Sequence, residues 1–158
     1  MTYPTLEDKV HIIENTVAVA HACGVECPKV APLAAVEVVN PKMPCTVDAD
    51  ELRKMNAEGK ITGCVVDGPL SMDIAIDPEA AHHKGARTAR LQAMRTSCCS
   101  RHSGRQPRLQ DAGPHCRLQE RLILTGTKVP AILTSRSDSF QTKVNSIALA
   151  AVVAAGLD

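Results

Sequence analysis

The sequence predicts an α/β protein, three layers deep, with helices on both faces of a parallel or mixed sheet. Three observations carry this. Short runs rich in Val, Ala and Ile alternate with segments of helical period, the pattern of a sheet covered by helices. The runs end at turns built from Pro, Asn, Asp, Ser and Gly. The 158 residues, 44% of them hydrophobic and with a net charge of +1, suit one ordinary core or a piece of one.

Val10, Ile13, Val17 and Ala20 fall at helical spacing and predict a helix from Leu6 to Ala22, opened by Pro4 or Thr5 and stopped by Gly24. Residues 29–39 read as a strand leading into the turn Asn40-Pro41-Lys42-Met43-Pro44. Residues 48–59 read as a short helix capped by Asp48. Asp50 and Glu51 would occupy its first turn, where carboxylates oppose the positive end of the dipole. Residues 61–66 read as a second buried strand, closed by Asp67-Gly68-Pro69. Asp77-Pro78-Glu79 opens another short helix with proline at its first position, and Gly85 stops it. His82 and His83 end that helix, where a cation suits the dipole, and no chemistry is read into them. An apolar run at 129–133 reads as a further strand. It stops at Thr134-Ser135-Arg136-Ser137-Asp138-Ser139, after which a long apolar helix begins near Phe140.

Composition excludes several classes. Only Tyr3 and Phe140 are aromatic, too few for base-stacking platforms, and near-neutral charge argues against a general nucleic-acid role. The N-terminal residues show no basic region followed by an apolar run, and residues 147–157 are too short to span a bilayer. The sequence therefore predicts a cytoplasmic protein. Seven cysteines, an odd number, argue for free thiols rather than a disulfide framework. Cys23 and Cys27 have no second tight cysteine pair before position 98, so no metal site is expected.

The turn at 134–139 is a natural anion site. The first N–H groups of the following helix have no partners of their own, and the dipole favours negative charge there. Arg136 adds a fixed cationic fork suited to phosphate; Ser135, Ser137 and Ser139 can cap the helix or donate to a ligand. The plainer reading is a capped helix with one surface arginine. Ligands of α/β sheets sit beyond the carboxyl ends of the strands, which makes Asn40-Pro41-Lys42, Asp67-Gly68-Pro69 and Ser135-Arg136 candidates for one rim. Against this, the plainer reading of Asp67 is a turn residue accepting backbone N–H bonds, and that of Lys42 a solvated loop charge.

The stretch GTKVPAILTSRSDSFQTKVNSIALA, residues 126–150, resembles the end of the phosphate acetyl/butyryltransferase family, whose members carry a strand, a T-S-R-x-D-S turn and an apolar helix. Two upstream stretches agree, from Pro28-Lys-Val-Ala through Asn40-Pro-Lys-Met-Pro44 and from Gly59-Lys-Ile-Thr-Gly through Asp67-Gly-Pro-Leu70. The likeness covers roughly two thirds of the chain and is greatest to the acyltransferase half of bifunctional enoyl-CoA hydratase/phosphate acetyltransferases.

Between residues 87 and 121 the character changes. Eight arginines face only Asp111 and Glu120, and no apolar period survives. Three readings stand: a basic insert for acidic partners, a disordered surface loop, or residues translated in a shifted frame. The last is testable on paper. Codons chosen for residues 88–99, TARLQAMRTSCC, read one base earlier, give His-Ser-Pro-Val-Ala-Gly-Asp-Ala-Asp-Ile-Leu-Leu. Codons chosen for residues 105–121, read one base later, give Gly-Asn-Leu-Ala-Tyr-Lys-Thr-Leu-Val-His-Ile-Ala-Gly-Cys-Lys-Ser-Gly. Both are similar to what the family carries at these points. The frameshift reading is favoured, and with it poor order across residues 87–121.

The resemblance implies an incomplete fold of the isocitrate/isopropylmalate dehydrogenase type, whose complete form has two α/β domains flanking a cleft. Residues 1–86 would belong to the second domain, and residues 122–158 would be the strand and helix that return to a missing first domain. It implies exchange of an acyl group between coenzyme A and phosphate, with no tightly bound cofactor and no metal, acyl-CoA being a substrate. Ser135 would hydrogen-bond the thioester or its oxyanion. Arg136 would hold phosphate or part of coenzyme A, with Ser137, Ser139, Lys42 and Asp67 as further binding candidates. Acetyl-type members place an aspartate where Thr142 stands here, leaving Asp138 as the candidate base or, equally, a helix cap. The chain is thus expected to be a weak or inactive acyltransferase fragment, with no nucleic-acid or membrane partner, whose last helix favours self-association. A non-catalytic module that binds coenzyme A or a protein is the competing class.

Overall fold

The computed structural model describes residues 4–85 and 121–156. The stretch at 87–121, apart from Arg121, therefore lies outside the described residues, and so does the expectation about its order.

Helix α1, Leu6–Ala22, matches the sequence reading to the residue. Thr5 and Asp8 form a reciprocal capping box, the Thr5 N–H donating to the Asp8 carboxylate at 2.8 Å and the Asp8 N–H to the Thr5 hydroxyl at 3.2 Å. Gly24, at φ 81°, ends the helix in the left-handed conformation. Val25 N–H reaches back to Ala20 C=O and Gly24 N–H to His21 C=O, which closes the last turn. The buried stripe runs Lys9, Ile13, Val17, Ala20.

Strand β1, Lys29–Val30, pairs in parallel with β2, Val65–Val66, in the register Lys29↔Val65 and Val30↔Val66. Both strands are far shorter than the runs at 29–39 and 61–66 suggest. Pro32 and Pro69 supply no ladder donor just past the paired residues, and beyond them only a Leu33↔Leu70 bridge continues the pairing. The chain then bends through 35–38, leaving Val38 and Val39 exposed. Gly68 lets the two chains approach closely, since a Cβ there would come within 3.1 Å of the Pro32 carbonyl oxygen.

Helix α2, Pro44–Ala57, starts four residues before the expected Asp48. Pro44 at its first turn has φ preset and loses no bond there, and the fully buried Thr46 ties the preceding turn to the helix. Asp48 is consequently an interior residue that pairs with Lys9, and neither Asp50 nor Glu51 lies in the first turn. Helix α3, Met72–Ile76, is too short to leave a periodic signal and was not anticipated. Helix α4, Pro78–His83, follows the sequence reading, capped by Asp77 and stopped at Gly85.

Two clusters flank the strand pair. Ile13 and Val17 of α1, Leu52 of α2, Val30, Ile61 and Val66 form one; Ala31, Leu70, Ile74, Ala75 and Ala81 form the other. Val30 and Ala31 are neighbours on extended chain and so feed opposite faces. Helices therefore cover both sides of a small parallel sheet, an α/β arrangement.

The run at 129–133 is not a buried strand. Its Ala131 makes an isolated antiparallel bridge to Leu124, while Val129 and Leu133 are 69% and 72% exposed. Pro130 removes one donor, and no sheet lies alongside among the described residues. Helix α5, Phe140–Ala155, follows. It buries Thr142, Ser146, Ala150 and Val153 and packs on α1, so its surface is partly covered rather than wholly unpartnered. Ser146 anchors the arm before it, accepting from Leu122 N–H at 2.9 Å and donating to Thr142 C=O at 2.7 Å.

Candidate functional site

Short polar side chains at 135–139 turn the chain into α5 by bonding their own backbone. The Ser135 N–H donates to the Asp138 carboxylate at 2.5 Å, and the Asp138 N–H returns to the Ser135 carbonyl at 3.2 Å. The Ser135 and Ser137 hydroxyls stand 3.0 Å apart, with the Ser137 N–H 3.4 Å from the Ser135 oxygen. Ser139 is the helix cap, its hydroxyl accepting from Thr142 N–H at 3.1 Å and lying 2.9 Å from the Thr142 hydroxyl. Asp138 is thus the closer of the turn and not the cap.

Ser135, Arg136, Ser137 and Ser139 are exposed and Asp138 half-buried. Arg136 has no hydrogen-bond or ion-pair partner among the described residues. No acidic residue occupies the first turn of α5, and the nearest carboxylate is Asp138, just before the cap. Chemically, the turn offers one free guanidinium, three hydroxyls and a carboxylate at a helix N-terminus.

Lys42 lies on an exposed turn at 40–43, where its N–H donates to the Asn40 side-chain oxygen at 2.9 Å. Asp67 follows β2 directly and is half-buried, its N–H donating to Val30 C=O at 3.1 Å. These two sit past the carboxyl ends of the paired strands. The hydrogen bonds of the Ser135 turn stay within residues 135–142, and α5 packs on α1 rather than on β1 or β2.

Arg53 of α2 is hydrogen-bonded to Asp50 through Nη2 at 2.6 Å, and Asp50 followed by the field of Asp67 raises its pKa. The same bond, with help from Lys54, holds the Asp50 carboxyl below its usual range. Two further cavities border α5. One of about 200 Å³ is lined by Asn15, Thr125, Thr127 and Val153; another of about 340 Å³ is lined by Cys23, Arg121, Asn145 and Leu149. Neither includes Ser135 or Arg136. Cys23, Cys27, Cys45 and Cys64 are free thiols, and no helix among the described residues is long and apolar enough to cross a membrane.

A family model described as phosphate acetyl/butaryl transferase matches residues 1–93. A phosphate butyryltransferase of Clostridium acetobutylicum is 50% identical over 97% of this chain and 51% of its own length. A phosphate acetyltransferase of Thermotoga maritima is 43% identical over 96% of this chain and 51% of its own. Among solved structures, a branched-chain phosphotransacylase from Enterococcus faecalis V583 superposes with a TM-score of 0.75 at 31% identity, over 98% of this chain and 55% of that one. The chain spans about half the length of the curated relatives it matches.

Proposed function

The chain belongs to the phosphate acetyl/butyryl transferase family, and from that premise we propose that it is a phosphate acyltransferase fragment. The reaction is exchange of an acyl group between coenzyme A and phosphate. A phosphate oxygen attacks the thioester carbonyl, the tetrahedral oxyanion collapses, and the C–S bond breaks to release the coenzyme A thiolate, which takes up a proton. Such chemistry needs donors for the oxyanion and cations for phosphate. In this reading Ser135 donates to the oxyanion and Arg136 holds phosphate or part of coenzyme A. Ser137, Ser139, Lys42 and Asp67 contribute to binding, and Asp138 is the nearest carboxylate for proton transfer.

The observation that carries the reading is the Ser135–Arg136 corner: exposed, with an unengaged guanidinium, at the start of a helix whose first turn holds no carboxylate. Half-length coverage of the relatives supports weak or absent turnover by the chain alone. It also favours the second reading, a module that retains coenzyme A binding without catalysis. The complete fold would be of the isocitrate/isopropylmalate dehydrogenase type, in a cytoplasmic protein with acyl-CoA as substrate and no tightly held cofactor. The family match ends at residue 93, close to where arginine enrichment begins, which supports a shifted frame across residues 87–121. Resequencing the DNA around codons 86–122 tests that directly.

A coupled assay with acyl-CoA and phosphate, comparing the chain with its Arg136→Ala variant, tests the rest. Weak activity or coenzyme A binding that falls with the substitution supports the corner. Binding and activity indifferent to Arg136 would overturn it.

A further inference from the structure

The turn at 40–43 is held from beneath by a single buried hydroxyl. Thr46 is fully buried; its oxygen accepts the Asn40 N–H at 2.9 Å and donates to the Met43 carbonyl at 2.8 Å. The turn closes on itself through Met43 N–H to Asn40 C=O at 2.8 Å, and Asn40 Oδ1 receives the Lys42 N–H at 2.9 Å. Thr46 therefore grips both ends of the turn and Asn40 braces its tip, while Lys42 itself stays exposed. Helix propensity does not ask for a β-branched hydroxyl residue here, and the helix already has Pro44 at its start. The hydroxyl serves the turn.

We infer that Thr46 is a positioning residue: by fixing the turn at 40–43 it sets the direction from which Lys42 meets a phosphate group of coenzyme A. The inference rests on the acyl-CoA reading above. A lysine ammonium on a flexible stem contributes to phosphate binding as a point charge, so the backbone that launches it decides whether it arrives. Without the grip, Lys42 would sample many launch directions, and side-chain and loop ordering would oppose binding.

A double-mutant cycle on the full chain tests this, with coenzyme A affinity measured by calorimetry and folding checked by circular dichroism. Thr46→Val removes the hydroxyl at nearly constant shape, and Thr46→Ser retains it. The expected result is about a fivefold loss for Thr46→Val, the scale of one hydrogen-bond-sized term, near-complete rescue by Thr46→Ser, and a similar loss for Lys42→Ala. In the Lys42→Ala background Thr46→Val should cost nothing further, because the effect passes through Lys42. A merely structural hydroxyl would weaken both backgrounds alike, which overturns the inference. Should Thr46→Val not fold, Asn40→Ala releases the exposed brace without orphaning a buried donor, and must show the same non-additivity with Lys42→Ala. If Arg136→Ala lowers affinity while Lys42→Ala does not, the inference fails and the acyl-CoA reading stands. If the unaltered chain binds no coenzyme A, both fall.

Discussion

Asn56 in α2 accepts the Val66 N–H of β2 at 3.1 Å, and its amide donates to the carbonyls of Ile61 and Cys64 at 2.9 and 3.0 Å. One side chain thus folds the whole 61–66 crossover onto the helix that precedes it. Replacing it by alanine strips partners from three backbone groups around the fully buried Val66. Destabilisation of about 2–4 kcal/mol is expected, since each orphaned group carries its own desolvation cost. Asn56→Asp should recover only the Val66 bond. Urea unfolding of the two variants checks the order.

Lys9 and Asp48 are separated by 39 residues and form an ion pair whose side chains are 4% and 29% exposed. Lys9→Met removes one partner of a carboxylate that water still reaches, whereas Asp48→Asn takes the charged partner from an ammonium that water hardly touches. The second should therefore cost more, about 3 kcal/mol, and the first about 1–2 kcal/mol. The combination Lys9→Met with Asp48→Asn should cost clearly less than the sum of the two single losses. Denaturant midpoints for the four proteins decide it, and additive losses would show that the two groups do not act as a pair.

Acid should loosen the α3–α4 hairpin. Lys84, 2.7 Å away, holds the Asp73 carboxyl down at about 2, and the Ser71 hydroxyl, which donates to Glu37, lowers that carboxyl. A carboxyl whose folded pKa lies below its unfolded value of 3.8 stabilises the fold above that value. That contribution disappears as pH falls through about 4 toward 2. Asp73 is about half exposed, so solvent screening keeps the effect below about 1 kcal/mol. Unfolding titrations from pH 5 to pH 2 should show a shallower decline for Lys84→Met than for the unaltered chain.

What the sequence revealed was local. Helix α1 was legible because the Thr5 cap, the apolar period and Gly24 all lie within it or at its ends. Helix α4 was legible through Asp77-Pro78 and Gly85 for the same reason. Asp48 looked like a cap because carboxylates commonly are. Its actual partner, Lys9, is distant in sequence, and Pro44 with Thr46 had already begun the helix. The strands were overdrawn because apolar content was weighed above Pro32 and Pro69 inside or beside the runs. The run at 129–133 failed differently: its hydrophobicity is real, but whether such a run is buried depends on what lies alongside. At the candidate site, a Ser/Arg/Asp turn feeding a helix could be read directly, and Ser139 proved to be the capping hydroxyl. Thr46 could not, because its significance comes from the loop it touches.

Helix α5 carries the last prediction. Phe140, Val144 and Ile147 recur at intervals of four and three and point away from α1, with Phe140 81% and Ile147 58% exposed. Lys143 is the only charged residue on the helix, so little opposes contact between two such faces. Burying a phenylalanine and an isoleucine from each of two copies removes enough apolar surface to favour association, at about 1.5–3 kcal/mol per side chain before ordering costs. The chain should therefore sediment as a concentration-dependent dimer or larger species. Phe140→Ser with Ile147→Gln should shift it toward monomer while leaving the α1-facing residues Thr142, Ser146, Ala150 and Val153 untouched. Equal thermal stability of the variant at low concentration would show that the substitutions act on association alone. A monomer at every concentration, before any substitution, would sink the idea.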